Sequence, residues 1–187
     1  MLPFYGRKVS RKTKNSDFQE LKSFDFFLDE KKIKNINQKL SFFPTTPNLE
    51  IGFGTGDNVV YQSRKYANEI FLACDPFITG SVKLKKKIEF LNIQNIFFTN
   101  CDFLMFSKLL KISVFDKIYI LFPDPWPKSK HKKRRLINKS FVKKLKKITN
   151  DNSKIFIVTD DDDYANQISH LFMKDENFQL VKSGNDN

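Results

Sequence analysis

The chain has 187 residues, 40% of them hydrophobic, which is enough to bury one domain's core and excludes a disordered composition. No apolar run reaches the length of a membrane span, and the basic, polar opening MLPFYGRKVSRKTKNSDF has none of the apolar core of an export signal. A formal net charge of +12 favours polyanionic partners, but only five of the 33 basic residues are arginine, so clustered charge is better evidence than the total.

Residues 1–15 are expected to form a basic mobile arm, and 16–187 a single domain. Phe18, Leu21, Phe24 and Leu28 suit one helix packed against that domain. Downstream, short apolar runs predict strands at 48–52, 70–74, 95–99, 117–122, 154–159 and 178–182. Helical patterns lie between them at 57–66, 80–91, 103–110, 139–149 and 162–174. Over 138–148, Phe141, Leu145 and Ile148 share one face and lysines the other. Strand–helix alternation implies βαβ units and an α/β fold with a doubly wound, mostly parallel sheet. Cys74 and Cys101 each end or closely follow an apolar run, as thiols of a reducing compartment do, and make no disulfide framework.

Ligands of such sheets bind beyond the carboxyl ends of the strands, so those ends carry the candidates. The first is followed by LEIGFGTGDN, where Gly52, Gly54 and Gly56 permit a tight turn and close approach of backbone to a ligand. A dinucleotide fingerprint, G-x-G-x-x-G, would need glycine where Asp57 stands, which disfavours a dehydrogenase. G-x-G-x-G with Glu50 two residues before it is instead the pattern of S-adenosylmethionine-dependent methyltransferases, whose sulfonium cofactor has no pyrophosphate. A plain strand-to-helix turn is the competing explanation. Asp75 follows the second strand about 20 residues beyond the glycines, where a carboxylate accepts both ribose hydroxyls, or caps a helix. Asp102 follows the third strand, placed for an adenine amino group or, equally, for a helix cap. In FPDPWPK, Pro123 and Pro125 end the fourth strand and stiffen a loop that holds Asp124 at the sheet edge. In VTDDDDYA, Asp161 to Asp163 suit a helix N-terminus, and Asp160 is the acid that can face the pocket.

Together, LEIGFGTG, FPDPW with K-x-x-H-x-K-R-R after it, and VTDDDDYA closely resemble the bacterial tRNA (guanine-N7)-methyltransferases. YGRKVSRK is similar to their basic N-terminus, and the likeness runs from about residue 5 to about 180. It implies a Rossmann-like class I methyltransferase fold, S-adenosylmethionine as cofactor, tRNA as partner in the cytoplasm, and methylation of guanine-46 in the variable loop. It further implies cofactor contacts at Glu50, Gly52, Gly54, Gly56, Asp75, Asp102 and Asp124, with Asp124 also catalytic. Many relatives carry glutamate where this chain has Asp75. Substrate contacts fall to Lys128 and Asp160, and RNA contacts to Lys130, His131, Lys132, Lys133, Arg134 and Arg135. Arg7, Lys8, Arg11 and Lys12 are expected to close on RNA as a disordered arm. Trp126 either stacks on the guanine or pins the loop to the core, and the core role is expected. No metal is implied, since His131 has no ligand cluster around it. Monomer and homodimer are both compatible with the sequence. The family's C-terminal T-x-[FY]-E motif and its last antiparallel strand are not found, so a truncated chain is expected.

Guanine N7 carries an in-plane lone pair and needs no base to unmask it, so catalysis is positioning plus electrostatics. Asp124 and Asp160 are placed to bond the guanine N–H edge and stabilise the methylated cation. One rival is an amino-group methyltransferase of the N6-adenine type, whose [DN]-P-P-[YFW] loop has a second proline that DPW lacks. Another is a non-catalytic RNA-binding protein that retains the fold.

Overall fold

The computed structural model describes residues 9–10, 13–40, 44–110, 115–181 and 184. Five strands form one all-parallel sheet: β1 (Asn48–Ile51), β2 (Phe71–Cys74), β3 (Ile96–Thr99), β4 (Lys117–Leu121) and β5 (Lys154–Val158), in the order β3-β2-β1-β4-β5. β1, β2 and β3 are buried along their whole length, and these short, mostly apolar strands suit a sheet with helices on both faces. Those helices are α1 (Asn15–Ser23), α2 (Glu30–Leu40), α3 (Asp57–Lys65), α4 (Ile78–Phe90), α5 (Phe103–Leu109), α6 (Lys139–Leu145) and α7 (Asp162–Met173).

Alternation along the strands divides the core. Leu72, Cys74, Ile118 and Ile120 point to one face and pack with Ile33 and Ile36 of α2, Phe106 of α5, Phe141 and Leu145 of α6, and Tyr164 of α7. Phe71, Ala73, Phe98 and Tyr119 point to the other, against Leu21 of α1, Val59 and Val60 of α3, and Leu84 and Ile88 of α4. Strand order reverses between β1 and β4, which lie side by side with Leu49 opposite Ile118 and Glu50 opposite Tyr119. The crevice beyond those two carboxyl ends is the ligand position of this architecture.

The single upstream helix expected from Phe18 to Leu28 is corrected. α1 stops at Ser23, and Phe26–Leu28 runs along the open side of β3: Phe98 N–H donates to the Phe26 carbonyl at 3.0 Å, and Leu28 N–H to the Phe98 carbonyl at 2.7 Å. This short pairing covers one sheet edge and carries the chain across it, so Leu21 and Leu28 are buried on opposite faces. α2, which was not expected, then buries Ile33 and Ile36 at helical spacing.

A strand at 178–182 is also corrected. Among the described residues, Phe178 to Val181 make no strand pairing. Phe178 instead packs edge-on to Phe172 at 5.0 Å, and its N–H bonds the Asp175 carbonyl at 3.0 Å. β5 therefore pairs with β4 alone, and its Phe156 and Val158 are 42% and 43% exposed, Phe156 stacking on Tyr119.

Candidate active site

Three consecutive structural decisions build the floor of the crevice. Gly52, Gly54 and Gly56 all take positive φ, 82°, 56° and 81°, in the left-handed region that favours glycine. Above Gly52 and Gly54 nothing stands within 4 Å of where a Cβ would project, so backbone is presented to open space. Asp75, at the end of β2, braces this turn: Oδ2 accepts Gly54 N–H at 2.7 Å, and Oδ1 accepts Phe77 N–H at 2.8 Å. Gly80 completes the joint, because a Cβ there would strike the carbonyl oxygen of Gly54. α4 can press against the glycine turn only without that methyl.

Glu50 is buried near the carboxyl end of β1, its Oε2 accepting from Asn58 Nδ2 at 3.0 Å. Burial pushes its carboxyl up to about 7, opposed by the Asn58 bond and reinforced by the charges of Asp75 and Asp57. Asp75 is raised too, first by burial, with Asp124 among the charges acting on it. Glu50, Asp75 and Asp124 thus share one electrostatic site at the switch point, assembled from the ends of three strands.

Asp124 lies exposed on a loop of unusual geometry. Phe122 and Trp126, two residues to either side, have positive φ of 48° and 44°, which is strained for bulky side chains. Phe122 N–H is tied to the Val158 carbonyl at 2.8 Å, while its ring is 63% exposed. Trp126 belongs to neither buried cluster. It meets His131 edge-on at 5.9 Å and carries the Arg134 guanidinium over its ring at 5.0 Å, so the expected core role is corrected to clamping the basic segment.

That segment is a 3-10 helix, Ser129–Arg134, following exposed Lys128. Lys130 and Lys133 are exposed, and His131 and Lys132 are half-buried. Burial and the charges of Arg134, Lys128 and Lys133 hold the His131 pKa below its usual value. Lys132 bonds Asp163 at 2.8 Å. Arg135 departs from the pattern: it is only 2% exposed, and Nε, Nη1 and Nη2 each donate to an acceptor inside the protein, whereas its expected role is an RNA contact. Across the crevice, Asp160 is exposed at the end of β5, and Asp161 caps α7 by accepting Tyr164 N–H at 2.7 Å. Asp102 caps α5 through Met105 N–H at 2.9 Å, one of the two roles open to it. Arg7, Lys8, Arg11 and Lys12 lie outside the described residues; beside them, Ser10 N–H donates to Thr79 Oγ1 at 2.8 Å and the Thr13 hydroxyl shares a hydrogen bond with the same oxygen.

Residues 45–187 match the sequence model of a family described as "Putative methyltransferase". The chain is 30% identical over 183 residues to a tRNA (guanine-N(7)-)-methyltransferase of Neorickettsia sennetsu, covering 96% of this chain and 80% of that one. It is 41% identical over 124 residues to the Wolbachia pipientis protein of the same description, covering 66% and 56%. The chain belongs to the tRNA (guanine-N7-)-methyltransferase family. Among solved structures, a SAM-dependent O-methyltransferase of Thermotoga maritima superposes with a TM-score of 0.54 at 11% identity, over 84% of this chain and 54% of that one, which shows the Rossmann-like fold.

S-adenosylmethionine, the family's methyl donor, is a cation with a ribose diol, and the donor set fits it. Buried carboxylates stand at Glu50 and Asp75, and the Gly52–Gly54 turn leaves open backbone beside them. Among the described residues no cluster of His, Cys, Asp or Glu could hold a metal ion, and no helix is long and apolar enough to cross a membrane. Asn58 and Gly80 went unnoticed in the sequence. A glycine in the first turn of an amphipathic helix was the available signal for Gly80; a lone asparagine after a glycine turn carries none.

Proposed function

We propose that this chain transfers a methyl group from S-adenosylmethionine to N7 of a guanine in tRNA, at guanine-46 of the variable loop, in the cytoplasm. One observation carries the proposal: Asp124 follows β4, which lies beside β1 and its buried Glu50 at the switch point, and the loop that bears it continues directly into the basic 3-10 helix. Cofactor site and RNA grip are thus covalently adjacent. S-adenosylmethionine would supply an electrophilic methyl on sulfonium. Glu50 and Asp75 offer negative charge and hydrogen-bond acceptors to its cationic and ribose portions. Asp102 offers a further acceptor to the adenine amino group.

Asp124 and Asp160, both exposed on neighbouring strand ends, are positioned to accept from the guanine N–H edge. They would hold N7 in line and stabilise the positive charge that develops on the purine. Lys128, Lys130 and Lys133 present ammonium groups to phosphate, giving affinity and register rather than sequence choice. The test is radiolabelled methyl transfer to unmodified tRNA followed by nucleoside analysis. 7-Methylguanosine, lost when guanine-46 is replaced, is expected. N6-methyladenosine would establish the amino-group rival. Retained RNA affinity with no calorimetric signal for S-adenosylmethionine would establish the non-catalytic one.

A further inference from the structure

Arg135 ends the basic run, yet its guanidinium is turned wholly inward. Nε donates to the Pro125 carbonyl at 2.7 Å, Nη1 to Gln167 Oε1 at 2.7 Å, and Nη2 to Asp163 Oδ2 at 2.6 Å, with Asp161 Oδ1 at 3.6 Å. Its Cζ lies 4.6 Å from the centre of the Tyr164 ring. Tyr164 and Gln167 in turn hold the chain just after Arg135: Ile137 N–H donates to the Tyr164 hydroxyl at 2.9 Å, and Gln167 Nε2 donates to the Ile137 carbonyl at 3.2 Å. A planar fork with donors in fixed directions can serve three acceptors at once, which an ammonium cannot do with the same geometry.

The acceptors lie on two separate elements. Pro125 is the residue after Asp124, and Asp163 and Gln167 lie one turn apart on α7. The Pro125 carbonyl also belongs to the peptide leading into Trp126, whose left-handed backbone is strained. Such strain persists only where the surroundings over-determine it.

We propose that Arg135 is a positioning residue: it latches the Asp124 loop onto α7 and sets the placement of Asp124, rather than binding RNA. This rests on the methyltransferase reading above for its catalytic consequence, but not for its mechanical one. Trp126, the chain's only tryptophan, reports the loop directly. Arg135→Lys retains the charge and removes the fork. Three quantities are measured on the full chain: acrylamide quenching of Trp126 fluorescence, kcat and KM for tRNA, and the salt dependence of tRNA binding. The latch predicts stronger quenching and kcat lower by on the order of 100-fold in Arg135→Lys, and an unchanged salt slope in the charge-removing Arg135→Gln. In Arg135→Gln, which removes the charge along with the fork, a salt slope shallower by about one with quenching and kcat at wild-type values would make Arg135 a phosphate ligand and overturn the proposal. Unchanged quenching and kcat overturn it as well. Should circular dichroism show Arg135→Lys unfolded, Gln167→Met removes one arm of the fork, and unchanged quenching there refutes the latch. If the wild-type protein methylates no tRNA, the proposed function fails, while the quenching comparison still decides the latch.

Discussion

Glu50 offers a pH experiment whose sign and size follow from its burial. A carboxyl raised from 4.5 to about 7 disfavours its charged form by about 3 kcal/mol. Between those two values the folded protein holds a proton that the unfolded chain has released. Its contribution is therefore fully present below 4.5, is lost as pH rises through about 7, and is flat beyond. Glu50→Gln removes the titration while keeping the shape and an acceptor for Asn58. Any pH-independent penalty of the new amide cancels when each protein is compared with itself. Urea unfolding at pH 4.5 and at about pH 8 should then show the wild type losing about 3 kcal/mol more than the variant over that interval. Asp75 is raised in the same direction and shifts both proteins together. A cationic ligand selects the ionised form, so S-adenosylmethionine should bind about tenfold more weakly at pH 6 than at pH 8, with release of the Glu50 proton to buffer visible by calorimetry at pH 6. Parallel pH dependences of wild type and Glu50→Gln would refute the burial argument.

Asp124→Ala should remove most methyl transfer while leaving the thermal unfolding profile in place; near-normal turnover would end its catalytic role. Gly80→Ala puts a methyl against the Gly54 carbonyl, and should destabilise the protein by about 1–3 kcal/mol in urea titration and weaken cofactor binding in calorimetry. Lys130→Ala and Lys133→Ala, both on the exposed side of the 3-10 helix, should each reduce the salt slope of tRNA binding by about one while kcat at saturation holds.

Most of the sheet was legible in the linear pattern. The five runs that became β1 to β5 are short, apolar and bounded by turn residues, and for β1 to β4 burial between two helix layers favours that composition. The glycine turn was legible for a similar reason, since positive φ at three alternate positions leaves few other residue choices. The upstream segment was not. Phe26 to Leu28 carry an apolar pattern consistent with a helix, and it is the open edge of β3, distant in sequence, that draws them into an extended crossing. Phe178 likewise has a strand-like neighbourhood but finds its partner in Phe172.

At the site, the sequence by itself determined which strand ends carry acids, where backbone must stay bare, and that a basic run follows Asp124. All of these are properties of residue type and spacing along one chain. Only the tertiary structure decided how the basic run divides. Lys130 and Lys133 face solvent, whereas Arg135 is buried among Pro125, Gln167 and Asp163. Adjacent cations look alike in one dimension because charge has no direction there. In the fold, a guanidinium can be buried only where several acceptors converge on it, and those acceptors come from a loop and a helix about 10 and about 30 residues away.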